Sequence, residues 1–377
     1  MQTYFSKAAL LKTPGKRAAF SDRTAYLMAE MARLAYFKFE GGNNVVEVLE
    51  SVKEYLPDNT KLKAIEGILK SVLVPTSPED GKKVLSEILE PHGFELIETF
   101  FTSGEADKGA EAFLCRHKTE KYAILAFRGT EASLKDIKAD ISASLTEVDI
   151  RGVKVEIHSG YYNQFISLQA AIQVGLKDKR IKDYQLFITG HSLGGALAIT
   201  ATKFLASDIT GACYTFGSPP VGTAEFARDI STPIYRIINH VDIVPNLPNP
   251  TTVWVVRMIA RLILLGLDLL GFLRSLRESK SFKKARLWLQ NAQKYRQSGY
   301  GSYLVGEGSA VQLRYTVGTF DKVSWWWKQV KAARSGEFKM LTQHSIDEYS
   351  GKLGSWAAYR QSQKLTVLPA AKKVAKK

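Results

Sequence analysis

The sequence predicts an α/β fold: a mostly parallel sheet covered by helices on both faces. Three observations point to it. Short apolar runs of strand length begin at Phe94, and from Tyr184 onward such runs alternate with helical patterns. One junction between a strand run and a helical run carries a Gly-x-Ser-x-Gly turn. Parallel strands need a crossover between them, and helices in the crossovers cover both faces of the sheet.

The N-terminal third, to about residue 92, reads as helical. From Asp22 to Tyr36 the residues Leu27, Met31, Leu34 and Ala35 recur at helical spacing, with Ser21 or Asp22 as the N-cap. Two further helical patterns cover Val45 to Leu56 and Leu62 to Val74, and a fourth starts at Ser77-Pro78 with proline at the first helical position. These helices are expected to serve as a packing layer or a cap. The period then changes. Phe94 to Phe101, Glu111 to Arg116 and Tyr122 to Phe127 are apolar and short, and the polar turn His117-Lys118-Thr119-Glu120 joins the last two as a hairpin. Tyr184 to Thr189 reads as a strand, Gly194 to Leu205 as a helix rich in small residues, and Cys213 to Phe216 and Ile234 to Asn239 as two more strands. Cys115 and Cys213 sit inside apolar strand runs and are expected as reduced core residues. The 377 residues, 45% hydrophobic and 24% charged, are consistent with one large globular α/β unit.

The turn Gly190-His191-Ser192-Leu193-Gly194 is a weak signal alone, but its context strengthens it. An apolar strand precedes it and a small-residue helix follows, the strand–turn–helix in which an α/β-hydrolase exposes a nucleophilic serine. A serine hydroxyl needs a general base, itself oriented by a carboxylate. In this fold the order along the chain is Ser, Asp or Glu, then His. Of the histidines 92, 117, 158, 191, 240 and 344, only His344 lies far enough beyond Ser192 to leave room for an acid. Asp242, after the strand run IYRIIN, is placed to be that acid. Elimination thus yields the triad Ser192, Asp242 and His344. His240 reads as a surface or strand-end residue, and His158 as a structural hydrogen-bonding one.

Six pieces in order, ILAFRGT, HSGYYNQF, FITGHSLGGALA, YTFGSPPVG, RIINHVDIVPNLP and QHSIDEY, resemble the class 3 lipases. The resemblance runs from about Ala123 to Tyr349. It implies an α/β-hydrolase with Ser192 as nucleophile, Asp242 as acid and His344 as base, needing no metal or organic cofactor. It further implies an oxyanion hole formed by the backbone N–H groups of Thr130 and Leu193, with the Thr130 hydroxyl as a third donor oriented by Asp140. After FRGT the family shows an Asp-Trp pair where this chain has Asp136-Ile137, so the chain departs from the family at the lid region. No zinc or phosphate-loop spacing is visible.

The formal charge of +15 favours polyanionic partners. Thr251 to Gly299 holds ten basic residues against Asp268 and Glu278, so about half of the surplus sits in 49 residues. Its first half, WVVRMIARLILLGLDLLGFL, is interrupted by Arg257, Arg261 and Asp268, which argues against a membrane span. At 100° per residue these three side chains fall within about 40° of one another, leaving a wide apolar face. Such a helix is either a cap packed against the core or an element lying in a membrane interface. Trp325-Trp326-Trp327 admits the same two readings. The basic residues adjoin an apolar helix rather than a nucleic-acid recognition fold, so nucleic acid is not an expected partner. The start MQTYFSKAALLKTPGKRAAF lacks an apolar h-region. No Sec signal peptide is expected, and the chain is placed in the cytoplasm or peripherally on a membrane, with signal-independent export left open. The expected function is hydrolysis of acylglycerol or phospholipid esters. A phospholipase A at anionic membranes and a non-catalytic lipid-surface module are the alternatives.

Overall fold

A computed structural model of the chain describes residues 3–13, 18–37, 77–102, 110–129, 144–205, 210–242, 244–246, 290–316, 318 and 340–367. Its strands are β1 (Phe94–Phe101), β2 (Glu111–His117), β3 (Tyr122–Phe127), β4 (Leu145–Ile150), β5 (Val153–His158), β6 (Gln185–His191), β7 (Thr210–Phe216), β8 (Ile234–Asn239), β9 (Tyr300–Val305) and β10 (Gln312–Arg314). Its helices are α1 (Asp22–Leu34), α2 (Pro78–Leu89), α3 (Ser159–Gly175), α4 (Leu193–Phe204), α5 (Ala224–Ala227), α6 (Met340–His344) and α7 (Ile346–Val367).

Eight strands form one sheet in the order β1-β2-β3-β6-β7-β8-β9-β10, and β4 pairs with β5 as a separate ribbon. From β3 through β9 the neighbours are parallel, with antiparallel strands added at both edges. The expected mostly parallel sheet is therefore present. Alternation along β2 shows why both faces are apolar. Ala112 and Leu114 enter one core with α3 and α4, while Phe113 and Cys115 enter the other with α1, α2 and α7. Cys115 and Cys213 are buried, unpaired, and on opposite faces of the sheet. Burial pushes the Cys213 thiol up to about 12, so it has no thiolate character at neutral pH.

The helix expected at Asp22 ends at Leu34, and Ser21 caps it by accepting the Thr24 N–H at 3.4 Å. Every residue from Thr24 to Leu34 is buried, because α1 packs between the sheet and α7. It is a packing layer. Burial all round would be costly for Glu30 and Arg33 unless each were satisfied. The Glu30 carboxylate accepts from Arg33 Nε at 3.1 Å and Nη2 at 2.9 Å, from Ser350 Oγ on α7, and from the Phe5 N–H. One buried ion pair thus joins the N-terminal segment, α1 and α7. Ser77 and Pro78 begin α2 as expected. The helical patterns at Val45 to Leu56 and Leu62 to Val74 lie outside the described residues. So do residues 251–289 of the basic stretch, and Trp325-Trp326-Trp327. Among the described residues no helix is long and apolar enough to cross a membrane.

Candidate active site

β6 runs to His191, Ser192 forms the turn, and α4 starts at Leu193. The turn is tight enough to hold Ser192 at φ 55°, ψ −125°, a region that side chains avoid. Its N–H donates to the Phe216 carbonyl of β7 at 2.9 Å, and its carbonyl accepts from Gly195 N at 3.0 Å and Ala196 N at 3.2 Å. The two motif glycines serve close approach. A Cβ on Gly190 would stand 2.1 Å from the Gly194 carbonyl oxygen, and one on Gly194 would stand 2.4 Å from that of Phe127.

Ser192 Oγ lies 2.8 Å from His344 Nε2, and His344 Nδ1 lies 2.7 Å from Asp242 Oδ2. A carboxylate can only accept, so the neutral imidazole carries its proton on Nδ1 and leaves Nε2 free to accept from the serine. All three residues are buried, and Asp242 is fully so. The structure thus brings together the three residues predicted from the sequence, drawn from the ends of β6 and β8 and from the junction of α6 and α7.

The surroundings hold Asp242 in place through hydrogen bonds to both of its oxygens. Tyr349 Oη donates to Asp242 Oδ2 at 2.6 Å, and the Val244 N–H donates to Oδ1 at 2.9 Å. The Tyr349 oxygen accepts in turn from the Asn239 N–H at 2.9 Å. Burial and the neighbouring Asp242 carboxylate push the Tyr349 phenol well above its ordinary range, so it stays a donor. Asn239 Nδ2 donates to the Gln343 carbonyl at 2.8 Å and Lys352 Nζ donates to Asn239 Oδ1 at 3.1 Å, tying the end of β8 to both helices around His344.

The sequence marks His191 only as part of the turn. In the fold its Nε2 donates to the His344 carbonyl at 2.6 Å, and its Nδ1 is 2.7 Å from the Tyr36 hydroxyl. Tyr349 and His191 both lie within motifs visible in the sequence, whereas nothing there marks Tyr36. Leu193 is the first residue of α4, where helix geometry leaves N–H groups without intrahelical partners. Thr130, Asp136, Ile137 and Asp140 lie outside the described residues. His158 caps α3, its Nδ1 accepting the Tyr161 N–H at 3.4 Å, and His240 follows directly after the last residue of β8. Both match the structural roles expected of them.

Residues 124–252 match the family model described as lipase (class 3). Over those residues the chain is similar to the class 3 lipases. It is 32% identical over 149 residues to a lipase from Rhizomucor miehei, covering 36% of this chain and 40% of that relative. A secreted mono- and diacylglycerol lipase from Malassezia restricta is 30% identical over 145 residues, covering 34% of this chain and 48% of its own length. The match therefore spans less than half of these curated relatives. Among solved structures, lipase II from Rhizopus niveus aligns over 62% of this chain and 74% of its own, with TM-score 0.43 and 20% identity. The family match contains Ser192 and Asp242 and ends before His344. It is the three-dimensional fold that joins the histidine to the other two.

Tyr349→Phe is expected to cost about 1–3 kcal/mol of unfolding free energy, for the buried Asn239 N–H left without an acceptor and the lost bond to Asp242, read as a lower urea midpoint with the m-value unchanged. An unchanged midpoint would show that neither bond matters to stability.

Proposed function

We propose that the chain is a serine-dependent lipid esterase, hydrolysing the carboxylic esters of acylglycerols or phospholipids through an acyl-enzyme. The observation that carries this is the unbroken path from Ser192 Oγ through His344, at 2.8 Å, to Asp242, at 2.7 Å. His344 Nε2 takes the serine proton as Oγ attacks the acyl carbonyl, and Asp242 balances the imidazolium that forms. The backbone N–H of Leu193 at the start of α4, together with Thr130, holds the developing oxyanion. His344 then protonates the departing alcohol, and a water activated by the same nitrogen releases the fatty acid. Desolvation of the buried triad strengthens each of these charge interactions.

A lipid as substrate is supported by the family and by the lipases it resembles. The basic stretch from Thr251 to Gly299 favours peripheral contact with an anionic membrane, and hence a phospholipid ester within reach of Ser192. Fluorophosphonate labelling combined with lipid-class profiling tests both parts. We expect labelling at Ser192 and release of fatty acid from vesicles of anionic phospholipid ahead of triacylglycerol emulsions. Preference for the emulsion would move the substrate to neutral acylglycerols. Vesicle binding with neither labelling nor hydrolysis would sink the enzyme reading in favour of a lipid-surface module.

A further inference from the structure

We propose that Tyr36 and His191 form a positioning relay that sets the height of His344 above Ser192. This rests on the esterase reading of the triad. The residue immediately before the nucleophile reaches across to the main chain of the base. His191 Nε2 stands 2.6 Å from the His344 carbonyl oxygen, and the two rings lie 4.7 Å apart between centroids. Because His191 and Ser192 share a peptide bond, this contact is a rigid ruler between the nucleophile turn and the junction that carries His344.

The relay has one set of proton positions. The His344 carbonyl can only accept, so His191 Nε2 must carry a proton. His191 is buried, and burial drives its imidazole well below its ordinary range, with the nearby His344 ring acting in the same direction. A neutral ring has one N–H, so Nδ1 is an acceptor and the Tyr36 hydroxyl, 2.7 Å away, donates to it. Tyr36 therefore selects the tautomer that holds His344. In the other tautomer Nε2 would face a carbonyl oxygen without a proton between them, and His344 would lose its support.

A second observation is independent of the hydrogen bonds. A Cβ added to Gly129 would lie 2.2 Å from Tyr36 Oη and 2.6 Å from the His191 carbonyl oxygen. The tyrosine hydroxyl, the backbone before the nucleophile and the end of the β3 segment thus meet at one point that only glycine admits. Gly129 precedes Thr130, so the same hydroxyl is packed against the chain leading to the oxyanion element. Tyr36 follows α1 and lies well outside the residues that match the family model. The fully buried helix α1 thereby gains a role beyond packing, since the chain leaving its C-terminal end delivers the hydroxyl that orders the site.

The test compares Tyr36→Phe, His191→Gln, His191→Phe and the Tyr36→Phe/His191→Phe double variant, read by p-nitrophenyl butyrate kinetics and thermal midpoint. A soluble substrate keeps membrane binding out of the measurement. Misplacing the base by a fraction of an ångström is expected to lower kcat roughly ten- to a hundredfold in Tyr36→Phe and His191→Phe, with KM near that of the wild type. Gln retains a neutral donor and an acceptor, so His191→Gln should recover most of the kcat lost in His191→Phe. The double variant should be no slower than His191→Phe, since either substitution breaks the same unit. Unchanged kcat in Tyr36→Phe, with or without a lowered midpoint, would overturn the relay, as would losses that multiply in the double variant. A wild-type chain with no esterase activity would instead remove the reading beneath it.

Discussion

Ser192→Ala is expected to lower kcat toward p-nitrophenyl butyrate by about 10⁶-fold, leaving only what the oxyanion donors and substrate binding contribute. The size follows from the geometry. With Oγ gone, His344 Nε2 faces a methyl group, and the hydrogen bond that activates the nucleophile has no replacement. Ser192 also sits at φ 55°, where any side chain is strained by about 1–3 kcal/mol. Ser192→Gly should therefore be equally inactive and more thermostable than Ser192→Ala. The strain removed exceeds the extra chain entropy that glycine loses on folding, about 0.5–1 kcal/mol. Kinetics and thermal melts of the two variants separate these effects. Residual activity above one part in about a thousand in Ser192→Ala would exclude Ser192 as the nucleophile, a loss far smaller than a triad serine requires. A melting point lower in Ser192→Gly than in Ser192→Ala would show that the turn is not strained.

The triad is legible because each member sits where chain order and local pattern constrain it. Ser192 is bracketed by glycines whose absent side chains make room for neighbouring carbonyls, so the motif is a direct imprint of the turn. His344 follows because the chain has so few histidines beyond that turn. Asp242 follows because β8, a strand run interrupted only by Arg236 before it closes on Asn239, ends just before it. The central strands are legible for a related reason: both faces are covered, so β3, β6 and β7 are buried almost throughout and carry no Asp, Glu, Lys or Arg.

What escapes the sequence lies at edges and in long-range polar contacts. The β4–β5 ribbon alternates exposed polar and buried residues, Glu147, Val148 and Asp149 among them, so no apolar run marks it. β9 and β10 are half exposed, and Gly301 and Ser302 weaken any strand signal in β9. α3 shows only through the motif HSGYYNQF, because its apolar residues are spread around the helix rather than gathered in one stripe. Tyr349 and His191 act through partners more than 100 residues away in sequence, and local spacing carries no trace of such contacts. Tyr36 is the extreme case. It follows a helix whose residues are buried on every side, so its position reads as ordinary core until the hydroxyl is set against His191 and Gly129.

Asp242→Asn is expected to lower kcat by roughly 10³–10⁴-fold with KM little changed, a barrier increase of about 4–5.5 kcal/mol. All three described donors around the carboxylate aim at its oxygens: His344 Nδ1 and Tyr349 Oη at Oδ2, and the Val244 N–H at Oδ1. An asparagine amide offers one oxygen and must turn its NH2 toward one of these groups. With NH2 at the Oδ1 position it opposes the Val244 N–H, leaving a buried donor unsatisfied at a cost of about 1–3 kcal/mol. The histidine tautomer then survives, but no charge balances the imidazolium. With NH2 at the Oδ2 position two donors are opposed instead of one. His344 escapes by moving its proton to Nε2, where it points at Ser192 and can no longer accept from it. The first arrangement leaves fewer donors stranded and should dominate, so the loss is chiefly electrostatic and a fall in stability accompanies it. Stopped assays of kcat and KM, read beside a urea melt, distinguish this from a purely structural effect. A variant that loses stability while keeping kcat within about tenfold of the wild type would remove Asp242 from the proton path, since general acid–base groups contribute about 10²–10⁴-fold.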